Sequence, residues 1–230
     1  MDAGLYIVGT PIGNLGDITL RALETLRAAG LVVAEDTRES SKLLNRYEIK
    51  SPLISCHKFN EASRVELILE KIRAGIAVAL VTDAGMPGVS DPGSRVVTAC
   101  REAGLPVTVL PGPSSVTAAV ALCGFAGAGF LFEGFLSHKS AARRRRLGEC
   151  AGLEVPLVLF ESPYRLLKLF EEVRDVLGPR RVFVARELTK KFEECLTGTP
   201  DELTAAFAGR TVKGELVVII APADRHPGRD

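Results

Sequence analysis

Short apolar runs alternate along this chain with stretches in which apolar positions recur every three or four residues. Residues 5–8 form the first run, the length of a buried strand. Over 19–29, Leu20, Leu23 and Leu26 fall at three-residue spacing and Gly30 closes the stretch, which predicts a helix. A strand over 31–34, a helix over 40–46 and a short strand over 52–56 follow. Val65, Ile68, Leu69 and Ile72 lie on one face of a helix over 61–74, stopped by Gly75. Residues 76–81 read as a buried strand and 107–110 as another. Between them, 92–103 reads as a helix with Pro92 in its first turn and Ser90 or Asp91 as its cap. Strands and helices alternating over short connections predict an α/β fold with a largely parallel sheet.

After residue 111 the texture changes. An alanine-rich helix over 116–122 is followed by an aromatic-edged strand (130–132 and Phe135) and a basic helix over 140–150. Strands over 156–160, 181–185, 192–196 and 215–221 alternate with helices over 164–177 and 200–207. This pattern predicts a second α/β domain, with the boundary near 112–124 and the two domains spanning 1–112 and 113–230. The tail, 224–230, has no such pattern and is expected to fray.

A chain of 230 residues has ample sequence for a core in one large domain or two small ones. Its formal net charge of +1 excludes a global basic field, so any nucleic-acid surface has to be local. The five cysteines (Cys56, Cys100, Cys123, Cys150, Cys195) are isolated and form no CxxC pair, as expected of reduced thiols in a cytoplasmic protein. His57, His138 and His226 lie far apart, without metal-ligand spacing. The start of the chain is not basic and no apolar run approaches a membrane-spanning length, so neither a leader nor a membrane span is expected.

Four strand ends open into loops of glycine, proline and hydroxyl residues before a helix begins. They are Val8-Gly-Thr-Pro-Ile-Gly-Asn14, Thr82-Asp-Ala-Gly-Met-Pro-Gly-Val-Ser-Asp-Pro-Gly93, Leu110-Pro-Gly-Pro-Ser-Ser115 and Phe160-Glu-Ser-Pro-Tyr-Arg165. Glycine lets a backbone approach a ligand closely, proline stiffens what remains, and ligands of open α/β sheets bind at the carboxyl ends of strands. The second loop is the richest, and its alternative reading is a long surface turn. The first loop lacks GxGxxG and holds Pro11, which argues against a dinucleotide site, and no GxxxxGK[ST] is present.

Eight motifs then occur in order. They are Tyr6-Ile-Val-Gly-Thr-Pro-Ile-Gly-Asn-Leu-Gly-Asp-Ile-Thr19, Ala34-Glu-Asp-Thr-Arg38, the loop of residues 81–93, Leu110-Pro-Gly-Pro-Ser114, Phe132-Glu-Gly-Phe-Leu136, Glu161-Ser-Pro-Tyr-Arg165, Ala185-Arg-Glu-Leu-Thr-Lys190 and Lys213-Gly-Glu215. Together, over residues 4–221, they resemble the small-subunit ribosomal RNA cytidine 2′-O-methyltransferases of the tetrapyrrole-methylase (class III) superfamily. The resemblance implies two α/β domains with S-adenosylmethionine in the cleft between them, a homodimer, and a substrate cytidine of the decoding centre of 16S rRNA methylated on its ribose 2′-oxygen. It implies cofactor contacts at Pro11 and Ile12, at Asp83, Met86 and Val89, at Ser114 and Ser115, and at Phe160, Ala185 and Val217. Where this chain has Met86, that family often carries threonine, so a hydroxyl contact there is lost.

A ribose hydroxyl is a weak acid and benefits from a positioned base. Glu35, Asp36 and Asp83 are the candidates, with Lys190 to orient phosphate or the hydroxyl; the alternatives are an Asp36–Arg38 ion pair and an Asp83 side chain that caps its own loop. Asp91 reads as the cap of the helix begun at Pro92. Lys139, Arg143, Arg144, Arg145 and Arg146, with no acid over 134–147, form a local excess able to meet RNA phosphates, or simply a solvated helix face. The resemblance leaves two other readings to weigh: a small-molecule (tetrapyrrole) methylase, and a non-catalytic ribosome-binding module.

Overall fold

The computed structural model describes residues 1–125 and 128–223. The tail expected to fray lies outside the described residues. The chain divides into two compact units, 1–114 and 115–230.

The first unit holds β1 (Gly4–Val8), α1 (Leu20–Ala28), β2 (Leu31–Ala34), α2 (Thr37–Arg46), β3 (Leu53–Ser55), α3 (Glu61–Arg73), β4 (Ala77–Val81), α4 (Ser94–Glu102) and β5 (Val107–Leu110). Its sheet has the order β3-β2-β4-β1-β5 and every pair is parallel. Such a sheet is covered on both faces, and β2 and β4 accordingly read as unbroken apolar runs. Leu23, Leu26, Leu43 and Leu44 of α1 and α2 pack on one face with Val8, Val32 and Val81. Ile68, Leu69 and Ile72 of α3 with Val96 and Cys100 of α4 pack on the other, against Leu5, Val33 and Leu80. The strand after β1 is placed to one side and the strand after β4 to the other. The order therefore reverses at β1 and β4, whose carboxyl ends flank the crevice where open α/β sheets bind ligands.

One expectation for this unit fails. The helix expected over 92–103 begins at Ser94, and Gly93 occupies its cap position, so neither Ser90 nor Asp91 is the cap residue. The first N–H groups find a carboxylate from another helix instead: Gly93 and Arg95 donate to Glu61 Oε1 at 2.9 and 3.2 Å. A buried acid at a helix N-terminus also meets the positive end of the helix dipole.

The second unit holds α5 (Ser115–Cys123), β6 (Leu131–Phe135), α6 (Ser140–Glu149), β7 (Leu157–Glu161), α7 (Leu166–Leu177), β8 (Val182–Arg186), β9 (Glu194–Gly198), α8 (Pro200–Phe207) and β10 (Leu216–Ile220). The order is β6-β7-β10-β8-β9, and only β6 and β7 pair in parallel. Leu147, Leu166, Leu169, Phe170, Leu203 and Phe207 cover one face, and α5 packs on β10. The start of α8 is a capping box, with Thr199 and Glu202 exchanging bonds and Pro200 in the first turn.

Candidate functional site

At the carboxyl end of the first sheet the loops after β1, β4 and β5 lock together through backbone. Thr10 N–H donates to Gly85 O at 2.9 Å, and Gly85 N–H returns a bond to Thr10 O at 3.1 Å. The buried Thr10 hydroxyl donates to Thr82 O at 3.0 Å. Gly9 faces Gly112, and a Cβ on Gly112 would stand 2.9 Å from the Gly9 Cα, so only glycine permits this approach. Met86 Sδ fills the space beside Gly9, 2.6 Å from where a Cβ would lie, and Ile12 packs beside Gly85. Pro11, Ile12 and Met86, far apart in sequence, are thereby brought to one place. Val89 is exposed further along the same loop, one turn beyond Met86. Ser114 ends the β5 loop and Ser115 opens α5.

The acids cluster at the ends of β2 and β4. Thr82 Oγ1 donates to Glu35 Oε2 at 2.7 Å, and the Asp36 N–H donates to Asp83 Oδ1 at 3.0 Å. Asp36 caps α2 through the Arg38 N–H and grips the Arg38 guanidinium at 2.6 Å. Those hydrogen bonds from Arg38 hold the Asp36 carboxyl down at about 2. Asp83 moves the other way: loss of solvation, with the negative charges of Glu35, Asp36 and Glu39, raises it against the pull of the Asp36 N–H. Asp36, one of the three candidate bases, is therefore engaged as a cap and in the Arg38 ion pair that is its alternative reading, and Asp83 is the carboxylate that holds a proton more readily. Thr10 and Thr82 carry no role in the sequence reading; their signal is a hydroxyl residue set directly beside a strand end.

In the second unit, Phe160, Val217 and Ala185 form a single rung across β7, β10 and β8. Lys190 sits in a cage of acids, bonded to Glu187 at 2.9 Å and Glu215 at 2.8 Å. Burial alone would lower its pKa, but the two carboxylates raise it, so it stays a cation. Cys56 is buried and pushed up to about 11, the opposite of an activated thiol.

The family model for tetrapyrrole (corrin/porphyrin) methylases matches residues 4–204. The chain belongs to that family. Among curated relatives, ribosomal RNA small subunit methyltransferase I of Thermotoga maritima is 46% identical over 94% of this chain and 97% of its own length. The protein of the same name from Vibrio cholerae is 44% identical over 94% of this chain and 76% of its own. Among solved structures, a diphthine synthase superposes with a TM-score of 0.75 at 17% identity, covering 94% of this chain and 89% of that one. A uroporphyrin-III C-methyltransferase from Thermus thermophilus, complexed with S-adenosylhomocysteine, gives 0.66 at 21% identity, covering 94% and 96%.

For this methylase one of the candidate RNA residues, Arg143, needs correction. Arg143 is not on the surface: it is 3% exposed and paired with Glu172, which is fully buried and also accepts from Ser140 at 2.6 Å. Arg146 is shared between Glu133 at 2.5 Å and Glu149 at 2.8 Å, and Arg144 meets Asp175 at 2.8 Å. The acids absent from residues 134–147 are supplied by neighbouring strand and helix. Lys139 and Arg145 remain exposed, and Arg145 lies 3.8 Å from Glu149.

Proposed function

We propose that this methylase uses S-adenosylmethionine to methylate the ribose 2′-oxygen of a decoding-centre cytidine in 16S rRNA. The observation that carries the cofactor assignment is the locked trio of loops at the reversal point of the first sheet. Its backbones are packed together by the Gly9–Gly112 contact and the paired Thr10–Gly85 bonds, with Ile12, Met86 and Val89 on the same loops. That donor set fits a ligand with an adenine to sandwich and polar edges to bond, and it brings no cation to repel a sulfonium. Phe160, Ala185, Val217, Ser114 and Ser115 are proposed as further contacts. The rRNA substrate is supported by the names of the relatives at 44–46% identity.

S-adenosylmethionine supplies an already activated methyl group. The residues of this chain have to orient the acceptor and take its proton. Asp83 is proposed as the proton acceptor, its raised carboxyl closer to working pH than that of Asp36. Glu35, bonded to Thr82, fixes the strand end from which Asp83 projects. Lys190, charged and braced, is proposed to meet a phosphate. A homodimer acting in the cytoplasm completes the reading.

The test incubates the protein with labelled S-adenosylmethionine and unmethylated small subunits, then digests the RNA to nucleosides. Label in 2′-O-methylcytidine is expected. Label in base-methylated nucleosides alone overturns the assignment, and label transferred to a porphyrin instead of RNA favours the small-molecule methylase. Cofactor binding without transfer to either would mark a non-catalytic ribosome-binding module.

A further inference from the structure

We infer that the carboxyl end of the second sheet is a stacking platform for single-stranded RNA, built from Phe135, Tyr164 and Phe192 with Lys139, Lys191 and Lys213 among them. The inference rests on the rRNA reading above and names the surface that engages the strand. It follows first from register. Phe135 pairs with Phe160, Glu161 with Leu216, and Leu216 with Arg186, so β6, β7 and β8 end on the same edge where β10 begins. The segments 136–139, 162–165, 187–193 and 213–215 therefore lie side by side. Five strands at about 4.8 Å make that edge roughly 20 Å long.

Three large aromatic side chains stand out from it: Phe135 is 61% exposed, Tyr164 96% and Phe192 64%. Phe135 rests on Phe160 with ring centroids 5.5 Å apart, and Lys191 Nζ lies 5.4 Å from the Phe192 ring. The acids of this edge are occupied. Glu161 holds Arg165 at 2.5 Å, Glu187 and Glu215 hold Lys190, and Glu193 accepts from the Thr189 N–H. Lys139, Lys191 and Lys213 take part in no ion pair among the described residues; against them stand Glu193 and the one carboxylate charge left where Glu187 and Glu215 share Lys190, so the balance facing solvent is still positive.

The loop that projects Lys191 and Phe192 is held in a strained form. Glu187 and Thr189 have φ of 51° and 65°, in the left-handed region that these residues seldom adopt. Glu187 and Glu215 exchange backbone and side-chain bonds at 3.0 Å, and Gly214 beside them has a φ of 94°, which favours glycine, with the Glu187 carboxyl filling the space where a Cβ would lie. Strain fixed this firmly marks a segment whose placement matters. Flat exposed rings interleaved with unpaired lysines are the chemistry of single-strand binding, rings for bases and ammonium groups for phosphates. A bilayer would favour contiguous apolar residues over rings with lysines between them.

The experiment measures fluorescence anisotropy of a fluorescein-labelled, cytidine-containing single-stranded RNA dodecamer on the full chain over a range of salt. S-adenosylmethionine affinity, by calorimetry, certifies each variant. Tyr164→Ala and Phe192→Ala are each expected to weaken RNA binding by about tenfold with the salt dependence intact. Tyr164→Phe should bind as wild type. Lys191→Glu with Lys213→Glu should flatten the salt dependence by roughly 0.7 in slope for every phosphate left without its ammonium partner. RNA affinity unchanged in the aromatic variants overturns the platform, as does loss confined to Arg145→Glu on α6, or wild-type binding to anionic phospholipid vesicles in preference to RNA. If wild type methylates RNA while these variants bind it normally, the platform alone fails. If they lose RNA that wild type binds without methylating, the platform stands and the proposed reaction fails.

Discussion

Replacing Arg143 with methionine tests whether the basic helix is a surface or part of the core. Its guanidinium donates to both oxygens of Glu172 and, at 3.0 Å, to the Ser137 carbonyl, in a site where both partners are almost wholly out of solvent. Methionine fills the volume but leaves the carboxylate with only the Ser140 hydroxyl. Stranding one member of a buried pair costs about 3–5 kcal/mol, a large part of the ~5–15 kcal/mol that holds most domains folded. The chain has no tryptophan, so urea unfolding is followed by far-ultraviolet circular dichroism. The pH dependence carries a second signature. Burial alone would raise the Glu172 carboxyl, but its bonds from Arg143 and Ser140 hold it below the ordinary value. In the wild type its contribution is therefore complete above the unfolded glutamate pKa of about 4.3 and fades as pH falls through the lower folded value. In Arg143→Met the carboxyl moves up and takes a proton, so the deficit against wild type should shrink between pH 7 and pH 5. Adding Glu172→Leu should recover most of the loss, since no charge then remains buried. A loss under about 1 kcal/mol at pH 7, a double variant no more stable than the single, or weakened RNA binding at unchanged stability would refute the reasoning.

Gly112→Ala places a methyl 2.9 Å from the Gly9 backbone; it should destabilise the first unit by about 1–3 kcal/mol and weaken S-adenosylmethionine binding, both read by calorimetry. Thr82→Val removes the hydroxyl that Glu35 accepts, with an expected loss of about 1 kcal/mol in urea unfolding, and Thr82→Ser should restore it. Asp83→Asn should abolish turnover with cofactor affinity retained. In the wild type the turnover should decline as pH falls through the raised Asp83 value. Asp36→Asn breaks the cap and the Arg38 pair, so it should lower stability more than it lowers turnover; the reverse would return Asp36 to the role of base.

The features legible in the sequence are those whose cause is local. β2 and β4 are runs of apolar residues that can only be buried, and the capping box at Thr199 announces α8 in four residues. The loops proposed to hold the cofactor are legible because glycine and proline punctuate strand ends, although the pairing of Thr10 with Gly85 depends on β1 and β4 being neighbours, which a linear pattern does not encode. The cap of α4 by Glu61 fails to show for the same reason, its donor and acceptor being 32 residues apart. The strands of the second unit are legible but their antiparallel sense is hidden, because β10, which runs against both β7 and β8, is an unbroken apolar run like the parallel β2 and β4.

Arg143 is the instructive case, since its burial is readable. It stands four residues before Leu147, which puts both on one face of α6, and Leu147 is fully buried. On α7, Leu166, Leu169, Phe170 and Val173 make an apolar stripe, and Glu172 sits among them. An acid in an apolar stripe requires a cation from whatever packs against it. The arginine that shares a face with the buried leucine of the adjacent helix is the one placed to supply it. The run Arg143–Arg146 thus divides by helical periodicity rather than by charge: Arg143 inward, Arg144 and Arg146 to neighbouring acids, and Arg145 outward. Of four arginines in four residues Arg145 is therefore left the most exposed, and the proposed RNA surface lies instead at the sheet end, where Lys139, Lys191 and Lys213 enter no ion pair among the described residues.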